Sequence, residues 1–197
     1  MRQRVWRVIT AALAAAVFSA TAILAQAAES SERLLDACLA CHGDAQRGAL
    51  PNVPALGAQP FDYLTIQLYM FREKMRVVEP MTSMLAAVKD DELKRLAAAI
   101  AKLPAPLPAD GPTDAARVER AQALVVQHRC NFCHNRDYSG QQNVPRLAAQ
   151  REDYLLKALR DYKSNARRGY DATMDDVLYP LNDDHFRDLA HFLSRQR

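Results

Sequence analysis

Nowhere in this 197-residue sequence do apolar and polar residues alternate long enough to make a convincing β-strand. The expected fold class is therefore all-α, and a βαβ framework is excluded. Beyond the N-terminus no stretch is apolar enough to cross a bilayer. Basic patches with interleaved aromatics are missing too, so nucleic acid is not an expected partner. Cysteine is scarce: Cys38, Cys41, Cys130 and Cys133 are the full set. There are only five histidines, and the second half has a single methionine, Met174. Residues this rare carry information.

The N-terminus reads as an export signal. It starts with Arg2, Arg4 and Arg7, continues through an Ala/Val/Leu/Ile-rich run, and ends in Ala25-Gln26-Ala27. Charged start, apolar middle and small-x-small finish predict cleavage after Ala27 and a periplasmic mature protein. An uncleaved membrane anchor is the alternative, because Val8 to Ala25 is nearly long enough to span. Without residues 1–27 the formal net charge of +3 falls to zero.

The remainder is written twice. Cys38 to Cys130 and His42 to His134 are both 92 positions apart. NVPAL (52–56) returns as NVPRL (143–147), Gln59 as Gln150, and FDYL (61–64) as EDYL (152–155), each 91 positions on. Met81 returns as Met174, Asp90-Asp91 as Asp183-Asp184, and Leu96-Ala97 as Leu189-Ala190, each 93 positions on. Such a constant offset predicts a duplicated domain. The expected organisation is a signal peptide over 1–27, a first domain over 28–103, a Pro-rich linker over 104–112 and a second domain over 113–197. In each copy Ser or Thr is the expected cap of the first helix. A second helix carries the stripe Leu64, Leu68 and Phe71, or Leu155, Leu159 and Tyr162, and a third begins at the paired aspartates. Domains this small build little core alone and need a staple.

Both cysteine pairs are C-x-x-C followed at once by histidine: CLACH and CNFCH. An exported protein with an even cysteine count first suggests disulfides. A zinc site needs four ligands, and each half offers two cysteines and few histidines. One zinc shared by all four cysteines leaves His42 and His134 without a role. A thioredoxin-like dithiol needs the βαβ setting and has no use for the histidine. Covalent c-type haem uses all three residues. Cysteines at i and i+3 share a helix face and add to the two porphyrin vinyl groups, while the histidine ligates the iron. Two covalently bound haem c groups are therefore expected, on Cys38/Cys41 with His42 and on Cys130/Cys133 with His134.

The opposite iron face needs a ligand as well. Met81 and Met174 hold matching positions in what reads as a loop before the last helix of each copy. Met84 is a rival, but it aligns with Val177, whereas Met81 aligns with Met174. His/Met ligation raises the potential and fills both axial positions, so such an iron exchanges electrons rather than binding substrate. His128, His185 and His191 have no counterpart in the other copy and read as surface or rim residues, with His185 or His191 the fallback for Met174. Arg76, Arg167 and Arg168 precede the methionines and are candidates for haem propionates or for plain surface charge. Tyr63 and Tyr154 read as core near the haems.

With these residues in place the chain resembles the cytochrome c4 family, diheme proteins of two tandem class I cytochrome c domains. The likeness covers about 30 to 197 and rests on the two C-x-x-C-H motifs, the P-x-L…Q…YL segments from Pro54 and Pro145, and Met81 and Met174. It implies that the carbonyls of Pro54 and Pro145 accept a hydrogen bond from the ligating histidines, tuning the irons. Two departures stand out. The family's Leu-Ala-Gly-Gln reads LGAQ in one copy and LAAQ in the other, and Asp175-Asp176 follow Met174 where the family keeps small or apolar residues. These aspartates predict a lower potential for the second haem, or a docking patch.

The expected function is transfer of single electrons between redox partners of a respiratory chain, with no catalytic residues. The expected partners are a terminal oxidase, a cytochrome bc1-type complex or a dehydrogenase, with membrane contact only through them. The alternative is the cytochrome subunit of a periplasmic dehydrogenase complex whose partner carries a flavin or quinone cofactor. A diheme peroxidase is disfavoured by the two matched methionines and the short chain.

Overall fold

A computed structural model describes residues 32–44, 50–167 and 172–197. The signal segment 1–27 and Arg168 lie outside the described residues. Helix α1 occupies 32–42. It is followed by α2 (Phe61–Arg72), α3 (Met81–Leu85) and α4 (Asp90–Ala101). The second half contains α5 (Ala115–Gln127), α6 (Cys130–Cys133), α7 (Glu152–Lys163), α8 (Thr173–Leu178) and α9 (Asp183–Leu193). The described residues contain no β-strand, only an isolated bridge between Gln141 and Val144.

Local chemistry sets the helix starts. Three acidic residues, Asp90, Asp91 and Glu92, occupy the first turn of α4, where they favour the positive end of the helix dipole. Helix α9 has a full capping box: Asn182 accepts from His185 N–H, and the His185 ring accepts from Asn182 N–H. For α5 the expected Thr113 cap is replaced by Asp114, whose carboxylate accepts from Ala116 N–H and Arg117 N–H. A carboxylate satisfies two orphan donors and meets the dipole with charge, which a hydroxyl cannot do.

The same packing scheme occurs twice. Helix α2 packs on α4 and α3, as α7 packs on α9 and α8. Leu64, Leu68 and Phe71 turn one stripe of α2 into a core with Leu85, Leu93, Leu96, Ala97 and Ile100. The second core gathers Leu155, Leu178, Phe186, Leu189 and Phe192, with half-buried Leu159 and Tyr162 against it. Helix α1 runs unbroken through Cys41 and His42, whereas the second copy breaks between α5 and α6 at His128 and Arg129, the latter left-handed at φ 53°.

Asp188, 5 % exposed on α9, is gripped by Arg120 at 2.6 Å and Arg117 at 3.3 Å from α5. His191 is buried at 4 % exposure, not on the surface or rim as expected. Its Nε2 accepts from Asp114 N–H at 3.0 Å and its Nδ1 faces Glu152, so it is committed to holding α5, α7 and α9 together. The segment before α5 is also attached to the second half, through Ala109 N–H and the Ser194 carbonyl at 2.8 Å.

Candidate haem sites

His42 ends α1 and His134 directly follows α6; both are buried. His42 Nδ1 lies 2.8 Å from the Pro54 carbonyl oxygen, and His134 Nδ1 lies 2.9 Å from that of Pro145. A carbonyl can only accept, so each Nδ1 carries the proton and each Nε2 keeps its lone pair. Burial lowers both imidazole pKa values, partly opposed by these hydrogen bonds, and holds the rings neutral. A neutral ring with a tethered Nδ1 is what metal ligation needs.

The first thiol of each pair is not activated. Burial pushes the Cys38 thiol up to about 11 and raises Cys130 as well. A working redox dithiol needs the opposite shift. No disulfide joins the four cysteines, and Cys38 and Cys130 pack with separate cores, which argues against one zinc shared by all four. No group of three or more His, Cys, Asp or Glu side chains gathers as a metal-binding cluster among the described residues.

Met81 and Met174 lie on the short helices α3 and α8, not in loops. Each is half-buried against the core that also holds the first cysteine of its own copy: Met81 with Cys38, Met174 with Cys130. Met84 is not among the side chains packed against that core. His185 is occupied in the α9 capping box and His191 between α5 and α7, so neither is available in place of Met174.

A positive side-chain cluster supports the haem assignment. Arg167 is 5 % exposed, and among the described residues its guanidinium donates to two hydroxyls, Tyr154 at 3.2 Å and Tyr63 at 3.1 Å, and stacks on Tyr162. Its repeat counterpart Arg76 donates to Gln67 and stacks on Phe71, and its buried Nε has no partner. Burial works to raise the Tyr154 phenol, but the charges of Arg167 and Arg76 outweigh it and bring it down to about 8. A buried guanidinium with no carboxylate partner among the described residues calls for an anion. Haem propionates fit that requirement in charge and in the bidentate geometry arginine favours.

Tyr63 and Tyr154, expected as core, are half-buried and belong to neither apolar core; their hydroxyls are instead partners of Arg167, a role the sequence did not signal. Gln59 and Gln150, noted in sequence only as matching positions, bridge the two halves. The available signal was a polar residue returning in register at a buried position.

No family model matches the chain. A cytochrome c4 from Thiocapsa roseopersicina is 31 % identical over 137 residues, covering 66 % of this chain and 71 % of that protein. A thiosulfate dehydrogenase electron acceptor from Stutzerimonas stutzeri (strain A1501) is 28 % identical over 168 residues, covering 80 % and 78 %. The crystal structure of reduced cytochrome c4 from Pseudomonas stutzeri shares the fold, with a TM-score of 0.77 at 24 % identity over 86 % of this chain and 98 % of that one. With ligand-ready histidines in both C-x-x-C-H motifs, a buried arginine and these likenesses, the chain belongs to the cytochrome c4 family of electron-carrying cytochromes.

Proposed function

We propose that this chain is a periplasmic diheme carrier that passes single electrons between redox proteins of a respiratory chain. The observation that carries this reading is the paired Nδ1-to-carbonyl contact, at 2.8 and 2.9 Å, behind two C-x-x-C-H motifs. A haem bound at each motif supplies a one-electron iron couple. Cys38 and Cys41 would hold the first group covalently and His42 and Met81 would ligate its iron; Cys130, Cys133, His134 and Met174 would do the same for the second. The Pro54 and Pro145 carbonyls fix the ring tautomer and raise the basicity of each histidine. Arg76 and Arg167 would take the propionates. The two apolar cores would shield the bound groups from water, which limits reorganisation when charge changes. The domains are 28–103 and 113–197, and residues 1–27 are an export signal removed before Ala28.

A second reading is favoured by the Stutzerimonas relative: the chain accepts electrons from a dehydrogenase partner. A pyridine haemochrome assay on the acid-acetone-washed holoprotein tests the common part. Two covalent haems per chain are expected; one, or none, would overturn the diheme reading. Co-purification of the native protein separates the two partner assignments.

A further inference from the structure

Two glutamines join the halves in the same way twice. Gln150 accepts from Ala55 N–H through Oε1 and donates to the Ala55 carbonyl through Nε2, both at 2.8 Å. Gln59 accepts from Arg146 N–H through Oε1 and donates to the Arg146 carbonyl through Nε2, both at 3.0 Å. Ala55, Gln59 and Gln150 are 2 %, 6 % and 3 % exposed. These amide pairs lie in a low-dielectric interior, where hydrogen bonds in series strengthen one another.

Their position adds a second consequence. Ala55 follows Pro54, and Arg146 follows Pro145. The N–H that each glutamine accepts therefore belongs to the same peptide unit as the carbonyl that receives a histidine Nδ1–H. An N–H that donates shifts amide density toward its own carbonyl oxygen. That oxygen then draws harder on the histidine proton, and the ring gains imidazolate character. A more donating ring favours the ferric state of its iron.

We propose that Gln150 and Gln59 are crossed positioning residues, each setting the donor strength of the histidine in the opposite half and so linking the two redox centres. Gln150, of the second half, acts on His42; Gln59, of the first, acts on His134. By linkage, a change of charge at either iron is felt by the glutamine clamp of the other half. The inference rests on the reading that both histidines are haem ligands. Other contacts across the interface, Tyr63 N–H to the Gln142 carbonyl at 3.0 Å and Asn52 N–H to Asp153 at 2.9 Å, hold it when one glutamine is changed.

The test is a redox titration of holoprotein carrying Gln150→Leu or Gln59→Leu. Each wave is assigned beforehand with Met81→Ala and Met174→Ala, since loss of the thioether lowers the potential of its own centre. Gln150→Leu is expected to raise the potential of the His42 haem alone, by about fivefold in the ferric/ferrous ratio, or ~40 mV at about 59 mV per decade. Gln59→Leu should do the same at the His134 haem alone. Gln150→Glu keeps the acceptor and adds charge beside Ala55, so the His42 wave should move the opposite way, below wild type, and further than the other wave. Equal shifts at both centres, or no shift at either, would reduce the glutamines to a structural clamp and overturn the proposal. A haem count other than two, or a failure of the methionine variants to assign the waves, would instead count against the diheme His/Met reading.

Discussion

Arg167 donates through Nη2 to the Tyr63 hydroxyl at 3.1 Å, so a buried guanidinium of one half rests on a phenol of the other. The same guanidinium reaches Tyr154 in its own half, which makes it the hub of the buried polar cluster between the copies. Removing it should be felt electrically. With propionates bound as proposed, Arg167→Gln withdraws a positive charge near the haem, favours the ferric state and lowers the potential of that centre. Arg167→Lys keeps the charge but loses the planar fork, so its effect should be smaller. Redox titration of both variants checks the sign and the order.

The distal ligands are testable by spectrum. Oxidised holoprotein should show the near-infrared methionine-to-iron charge-transfer band from two centres. Met174→Ala should remove about half of its intensity, one of two matched centres. Met84→Ala should leave the band intact, because Met81 and not Met84 packs against the core that holds Cys38. Loss of intensity in Met84→Ala would show that the register in the first half is wrong.

Ala58 and Ala149 adopt φ 51° and 57°, the left-handed region that glycine enters without a Cβ penalty. They occupy the positions where the family pattern has its glycine, so the turn keeps its shape with the unfavourable residue. Backbone bonds from Ala58 N–H to the Leu103 carbonyl at 3.0 Å and from Ala149 N–H to the Leu193 carbonyl at 3.1 Å hold it there. Ala58→Gly and Ala149→Gly should each stabilise the protein by about 1 kcal/mol. Denaturant unfolding of the holoprotein measures this.

These turns also show where sequence reading stops. The helices and both core stripes were legible because helical periodicity acts over short distances along the chain, and the repeat singled out two histidines and two methionines as candidate ligands. The conformation of Ala58 was hidden, since alanine advertises helix and tertiary contacts overrode it. The Asp114 cap was one residue from the expected Thr113, the usual uncertainty at a helix end. His191 was taken for a rim residue because its partners, Asp114 and Glu152, come from other helices. The pairing of Gln59 with Arg146 and of Gln150 with Ala55 leaves no periodic trace at all; only the return of glutamine in both copies marks it.

Gly140, at φ 74°, runs against the very peptide that orients His134. A Cβ there would lie 2.4 Å from the Pro145 carbonyl carbon and 2.5 Å from Arg146 N, both backbone atoms that cannot swing aside. Gly140→Ala should cost about 2 kcal/mol of stability, as overpacking does. It should also displace the Pro145 carbonyl from His134 and alter the potential of the second haem, leaving the first unchanged. A thermal melt and a redox titration on the same sample separate the two effects.

The acidic pair behind Met174 gives the last prediction. Charged residues over 28–104 number 9 basic and 10 acidic, and over 105–197 they number 14 and 13, so neither half carries a net charge able to steer partners at long range. Local groups must do it. Asp175 is half-buried with its Oδ1 lacking any hydrogen-bond partner, and Asp176 is exposed, both in the first turn of α8 next to Met174. Carboxylates near an iron stabilise its more positive, oxidised state, so the second haem should have the lower potential of the two. Asp175→Asn with Asp176→Asn should raise that potential by roughly 30 mV, about threefold at 59 mV per decade. Because Asp176 faces solvent, the double variant should also react more slowly with a basic partner, and the difference should shrink as salt screens the charge. If the potential does not move while partner kinetics do, the pair serves docking alone; if neither moves, Asp175 and Asp176 are ordinary surface charge, and the cause of any potential difference lies elsewhere.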